Sequence, residues 1–138
     1  MRLVCGDGLR PYLPQIAELI RRGIPTFTLD PERTQAIAAV NGQSVCAVVL
    51  YDHYRGQDIE MSIASTGPEW CKRGILAGFF DYPFNQLGCG RVTAIIQKKN
   101  RLARRFVTRL GFRQEGVHPY PDETMISYGL LRKDCRWL

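Results

Sequence analysis

Residues 59–76, IEMSIASTGPEWCKRGIL, change their periodicity part-way along, and that change sets the reading of the whole chain. In the first half Ile59, Met61 and Ile63 alternate with Glu60, Ser62 and Ala64, the period of two of a strand with unlike faces. Glu60 therefore points away from the main apolar stripe. The STGP that follows carries a turn, a cap at Ser65 or Thr66, and Pro68 near a first helical position. A long helical segment then runs through CKRGILAGFFDYPFNQLG, and Pro83 should kink or interrupt it because its ring lacks the backbone N–H.

Working outward, QSVCAVVLYD (43–52) is a near-continuous apolar, β-rich run, as expected of a strand covered on both faces. HYRGQ joins it to the strand at 59 as a hairpin. Downstream, RVTAIIQ (91–97) is β-branched and predicts another strand. In residues 100–112, NRLARRFVTRLGF, the side chains of Leu102, Ala103, Phe106, Val107 and Leu110 make one apolar helical face. Arg101, Arg104, Arg105 and Thr108 face away, and Gly111 closes the helix. FRQEGV and TMISYGLLR then read as strands around a turn from Pro119 to Asp122.

Upstream, RLVCG reads as a short first strand, and Leu13, Ile16, Ala17 and Ile20 mark a helix stopped by Gly23. LDPERTQAIAAVNG (29–42) predicts a second helix, with Asp30 as N-cap, Pro31 at the first position and Asn41-Gly42 at the end. The expected fold class is α/β, with a central sheet mixing parallel and antiparallel pairs in one domain over residues 1–138.

The 138 residues, 45% hydrophobic and 23% charged, suffice for one core without staples. The net charge of +6 favours anionic partners. The 5 cysteines form no C-x-x-C pair, which together with no leader-like start predicts free thiols and a cytoplasmic protein. No apolar run approaches the roughly 18 residues that span a bilayer. His53 and His118 lack metal-ligand spacing, so no metal is expected.

Several pieces then act together: IEMSIAS as a fourth strand, EWCKRGIL as loop and helix start, YPFNQLGCGRVTAIIQKKN, the asparagine of KKNRLARR, RLGFRQEG, and the closing YGLLRKDCRWL. In that order they resemble the GCN5-related N-acetyltransferase (GNAT) superfamily, in particular its short single-domain members of bacteria and phages. The resemblance implies acetyl-CoA as acyl donor, lying in a V-shaped split between the fourth and fifth strands. It implies cofactor contacts from Ile63, Ala64 and Ser65 on the strand and from Lys72, Arg73, Gly74 and Ile75 at the helix start. Asn100 and Ala103 would meet the pantetheine arm, and Arg104 or Arg105 the nucleotide end. A helix start suits pyrophosphate because its N–H groups are unpaired and carry partial positive charge. The loop departs from the family pattern: aligned on Gly74, its outer markers fall on Cys71 and Leu76.

Acyl transfer to an amine needs a neutral nitrogen, so a base must remove a proton. Glu60 occupies the position that the resemblance assigns to that base; a solvated or salt-bridged strand glutamate is the alternative. The oxyanion would meet a backbone N–H near Ile63 and Ala64. The family's acid, a tyrosine seven residues after the asparagine, falls on Val107 here, leaving Tyr120, Tyr128 or Cys71 as substitutes, with Tyr120 preferred. The acceptor is an amine of unspecified kind, a small molecule or a protein lysine. Two other classes stay open: an acyl-CoA-binding protein without turnover, and a nucleic-acid-binding module using the basic cluster at 98–109, which lacks a known DNA- or RNA-binding motif. A sheet edge or the terminal CRWL could support a homodimer.

Overall fold

The computed structural model describes residues 1–24 and 32–138. In chain order it contains β1 (Arg2–Cys5), α1 (Leu13–Gly23), β2 (Gln35–Asn41), β3 (Ser44–Asp52), β4 (Glu60–Ser65), α2 (Arg73–Asp81), β5 (Arg91–Gln97), α3 (Arg101–Leu110), β6 (Arg113–Pro119) and β7 (Thr124–Leu131). The strands form one 7-stranded sheet in the order β1-β2-β3-β4-β5-β7-β6. Every neighbouring pair is antiparallel except β4 with β5, so the mixed α/β sheet expected from the sequence is the one formed. No helix among the described residues is long and apolar enough to cross a membrane.

Apolar layers lie on both faces of the sheet. On one, α2 and α3 bury Phe79, Phe80, Val107 and Leu110 against Val49, Met61, Val92, Ala94 and Ile126. On the other, α1 buries Ile16 and Leu19 against Val48, Leu50 and Ala64. Gly23 ends α1, but its backbone is not left-handed; a Cβ there would come within 2.9 Å of the Ala64 Cβ. Its smallness thus lets α1 settle onto β4 rather than simply stopping the helix.

Two expectations are corrected. Residues 35–41 are β2, not a helix. Ala38 and Val40 face α1 while Ala39 faces the opposite layer, and all three are fully buried between β1 and β3, so coverage on both faces overrides alanine's helical preference. Asn41 pairs with Ser44, and Gly42 at φ 62° begins a two-residue hairpin turn. The caps expected at Asp30 and Pro31 lie outside the described residues. The long helix expected to open near Pro68 also begins later. Bonds from Cys71 N–H to the Pro68 carbonyl and from Lys72 N–H to the Trp70 carbonyl keep the chain in turns, and α2 opens at Arg73.

Pro83 interrupts α2 as the sequence predicts, and the fold compensates for the missing donor. The Phe79 carbonyl would meet the N–H of residue 83 in a regular helix; instead the buried Tyr51 hydroxyl donates to it at 2.6 Å. Burial, and next the neighbouring Tyr82, hold the Tyr51 phenol well above its ordinary value, so it keeps its proton. Around Pro83 the chain widens into a π-type turn, Tyr82–Gln86, closed by Leu87 N–H on the Tyr82 carbonyl. Tyr51→Phe removes this donor with little change of shape, and urea unfolding is expected to read a loss of about 1–3 kcal/mol.

Candidate functional site

β4 and β5 are joined by one parallel pair, Glu60 with Thr93, and then diverge. By contrast β3 and β4 stay in register from Asp52–Glu60 to Ala47–Ser65. Thr93 N–H bonds the Ile59 carbonyl at 2.9 Å, whereas Thr66 N–H bonds the Cys46 carbonyl of β3. Backbone groups alternate sides along a strand, so those of Glu60, Ser62 and Ala64 face β3 and those of Met61, Ile63 and Ser65 face β5. On β5 the same alternation aims Ile95 toward β4, while Lys98 N–H bonds Thr124 on the other side. Past the vertex, Ile63 and Ser65 oppose Ile95 and Gln97 across a gap, two sheet edges inside one sheet.

The gap opens into a cleft of about 760 Å³. Met61, Ile63, Ala94, Ile96 and Phe106 give it apolar walls, and Gly23 and Ile24 bound it at the end of α1. Trp70 is buried among its lining, edge-on to Phe79 at 5.7 Å and Phe106 at 5.5 Å, and so fills the space between α2 and α3. Cys71 lines the cleft too, and burial pushes its thiol up, so it is protonated at neutral pH.

Lys72, Arg73, Gly74 and Ile75 follow Cys71 directly. Lys72 is the N-cap of α2 without a side-chain cap, and the first helical bond runs from Leu76 N–H to its carbonyl. The N–H groups of Arg73, Gly74 and Ile75 therefore have no helical acceptor, and a Cβ on Gly74 would meet nothing within 4 Å. Arg73 itself donates to the Arg136 carbonyl at 2.9 Å. That terminal segment packs back on the domain: Trp137 Nε1 donates to the Leu110 carbonyl and Arg136 to the Arg109 carbonyl, covering the end of α3. At the start of α3, Asn100 Oδ1 accepts from Ala103 N–H at 3.2 Å. Asn100 and Ala103 both line the cleft, and the Asn100 amide nitrogen is left to donate.

At the vertex, Glu60 is half-buried on the same face as Ser62. Its Oε2 lies 3.0 Å from Nδ1 of His53, which is also 3.6 Å from Oδ2 of Asp52, its cross-strand neighbour being Glu60. Among the described residues His53 is the one non-glycine with positive φ, at 54°. That conformation costs about 1 kcal/mol or more and turns the ring back over the two carboxylates. His53 carries no motif that marks it for this site; its place at the end of a strand in a hairpin with Glu60 is the one signal in the sequence.

The remaining expected residues separate. Ala64 packs its side chain on α1 and turns its backbone to β3, so of the pair proposed for the oxyanion Ile63 alone faces the cleft. Arg104 does not line the cleft: its Nε donates to the Tyr128 hydroxyl and its NH1 to the Lys98 carbonyl, whereas Arg105 and Arg109 do line it. Tyr120 is exposed in the β6–β7 turn, roughly 20 Å along the strands from Glu60 at about 3.3 Å per residue. Tyr128 is buried under Arg104. Of the three stand-ins for the tyrosine, only Cys71 borders the cleft. No group of three or more His, Cys, Asp or Glu among the described residues could hold a metal ion.

No protein-family model and no curated protein matches the sequence. Solved structures do. A variant of spermidine N-acetyltransferase from Vibrio cholerae superposes with a TM-score of 0.75 at 14% identity, covering 94% of this chain and 92% of that one. A Bacillus subtilis acetyltransferase in complex with CoA gives 0.74 at 14% identity, over 94% and 97%. An acetyltransferase of the GNAT family from Bacillus anthracis gives 0.64 at 14%, over 96% of each. This chain has the GNAT fold. At these identities the likeness is one of architecture, and it spans nearly the whole chain. The GNAT fold expected from the sequence is thus present, with the strand split where the resemblance implied it.

Because Asn100 caps α3 as well as bordering the cleft, its replacement has a structural readout. Asn100→Ala should lower unfolding free energy by about 1 kcal/mol without any ligand, and Asn100→Asp should retain most of it; equilibrium denaturation of the two variants compares them.

Proposed function

We propose that this chain is an N-acetyltransferase that moves the acetyl group of acetyl-CoA to a primary amine by direct attack in a ternary complex. The divergence of β4 and β5 after one pair carries the reading, because it leaves an extended, unpaired backbone edge in an apolar cleft whose lining includes Cys71, two residues before the start of α2. An extended arm bearing amides can add to such an edge as a strand would. The pantetheine arm pairs with Ile63 and Ser65 and meets the Asn100 amide, while the pyrophosphate rests on the N–H groups of Arg73, Gly74 and Ile75. Arg105 and Arg109 supply positive charge along the cleft.

Glu60 then takes a proton from the acceptor ammonium, freeing the lone pair that attacks the thioester carbonyl. Ile63 N–H bonds the oxygen as it gains charge. The C–S bond breaks as the nitrogen gives up its second proton, and that proton reaches the leaving thiolate through water or replaces the one that the Cys71 thiol donates to it. His53, with Nδ1 3.0 Å from Oε2, holds the Glu60 carboxylate in place. Asp52 and Glu60, facing each other across β3 and β4, favour a cationic acceptor, in keeping with the spermidine acetylated by one protein of this fold.

A thermal-shift titration with acetyl-CoA, beside desphospho-CoA and ATP, tests the binding step; a saturable rise specific to acetyl-CoA is expected. Thiol release with a panel of primary amines tests turnover. Glu60→Gln should cut kcat about a hundredfold or more with the acetyl-CoA shift retained. Binding without thiol release toward any amine would instead favour an acyl-CoA-binding protein, the reading to which Val107 at the usual tyrosine position lends support. No shift with acetyl-CoA at millimolar concentration would count against both.

A further inference from the structure

On the side of α3 turned away from the strand split, a second groove of about 700 Å³ runs between the helix and β6. Arg101, Arg104, Arg105 and Arg113 line it with Gln114, over a floor that includes Tyr128. We propose that this groove is a binding site for a phosphomonoester, distinct from the acyl-donor cleft.

Arg104 is the reason. It is half-buried, and its guanidinium is fixed at two corners, by the Tyr128 hydroxyl at 2.9 Å from Nε and by the Lys98 carbonyl at 2.9 Å from NH1. Both partners are neutral. Among the described residues no carboxylate comes within ion-pair distance of Arg101, Arg104, Arg105 or Arg113. Glu115, the nearest acid in sequence on β6, is taken by Arg91 across the sheet. A charge held partly out of water without a counter-charge is costly, and four in one groove repel one another. An anion relieves both terms.

The chemistry of the lining narrows the class. Guanidinium forks and the Gln114 amide are donors, the Tyr128 hydroxyl has its proton left to give after accepting from Arg104, and no carboxylate faces them. A ligand rich in acceptors and carrying more than one negative charge fits; a phosphomonoester, with three terminal oxygens for planar forks, is the common case. The groove has room for the body that carries the phosphate. Arg105 borders both cavities, so the phosphate could belong to a separate metabolite or to the 3′-phosphate of CoA reaching round the helix.

Calorimetric titration with adenosine monophosphate and with inorganic pyrophosphate at low ionic strength reads the site directly. We expect saturable binding of one equivalent. In Arg101→Gln/Arg113→Gln the affinity should fall at least about tenfold, with the acetyl-CoA thermal shift unchanged where the ligand is separate and reduced where the groove holds CoA's own 3′-phosphate. Tyr128→Phe, which frees Arg104 from its anchor, should also weaken the monophosphate. Repeating the titration under saturating acetyl-CoA and under saturating desphospho-CoA separates the sources. Loss of monophosphate binding with the first alone assigns the groove to CoA's own 3′-phosphate, and retention with both assigns it to a separate ligand. The proposal is overturned if neither probe binds, or if the double variant binds them unchanged. It is equally overturned if only a single-stranded oligonucleotide binds, with steep salt dependence, since that would make the face a backbone-phosphate surface.

Discussion

A sheet normally closes every gap between its strands, because each unpaired N–H or carbonyl inside the fold costs free energy comparable to a lost hydrogen bond. Here β4 and β5 pair once and then part, and much of the remaining architecture accommodates that break. β4 is held on its other edge by six consecutive partners on β3, and β5 by seven on β7, so neither strand can move to close the split. Trp70, Phe79 and Phe106 fill the space beneath it from the helical side, and Gly23 lets α1 close against β4 from the other. The open edge is a consequence of well-paired flanks rather than of loose packing.

Helix ends supply the second constraint. α2 starts without a side-chain cap two residues after Cys71, which lines the cleft, while α3 starts at the cleft with a capping asparagine and ends under the Arg136 and Trp137 segment. Unpaired donors are thereby concentrated at one helix start and satisfied at the other. The interruption at Pro83 is treated similarly, since Tyr51 in β3 returns the donor that proline lacks and ties α2 to the centre of the sheet. Side chains from distant parts of the chain thus repair backbone deficits that local sequence creates.

Much of this was legible. The alternation at 59–64, the apolar run at 43–52 and the arginine-backed stripe at 101–110 placed two strands and a helix correctly, because period and burial agree there. The segment at 35–41 failed for the opposite reason: QAIAAVN has helical composition, but burial between β1 and β3 on both faces decides its conformation. Among site residues, Ile63, Asn100 and Ala103 reach the cleft since strand parity and helix phase fix their direction. Arg104 and Arg105 are adjacent in sequence and equally basic, and only contact with Tyr128 and Lys98 separates the one that turns away from the one that lines the cleft.

Sequence by itself determined the order of most elements, the strand-to-helix passage at 59–76 and the basic face of α3, because each follows from periodicity, punctuation or charge within a short window. Tertiary structure alone decided that β4 and β5 separate after Glu60 and Thr93, that His53 turns back on Glu60, and that four arginines share a groove with no acid. Those are relations between segments far apart in the chain, and no local pattern encodes the distance between them.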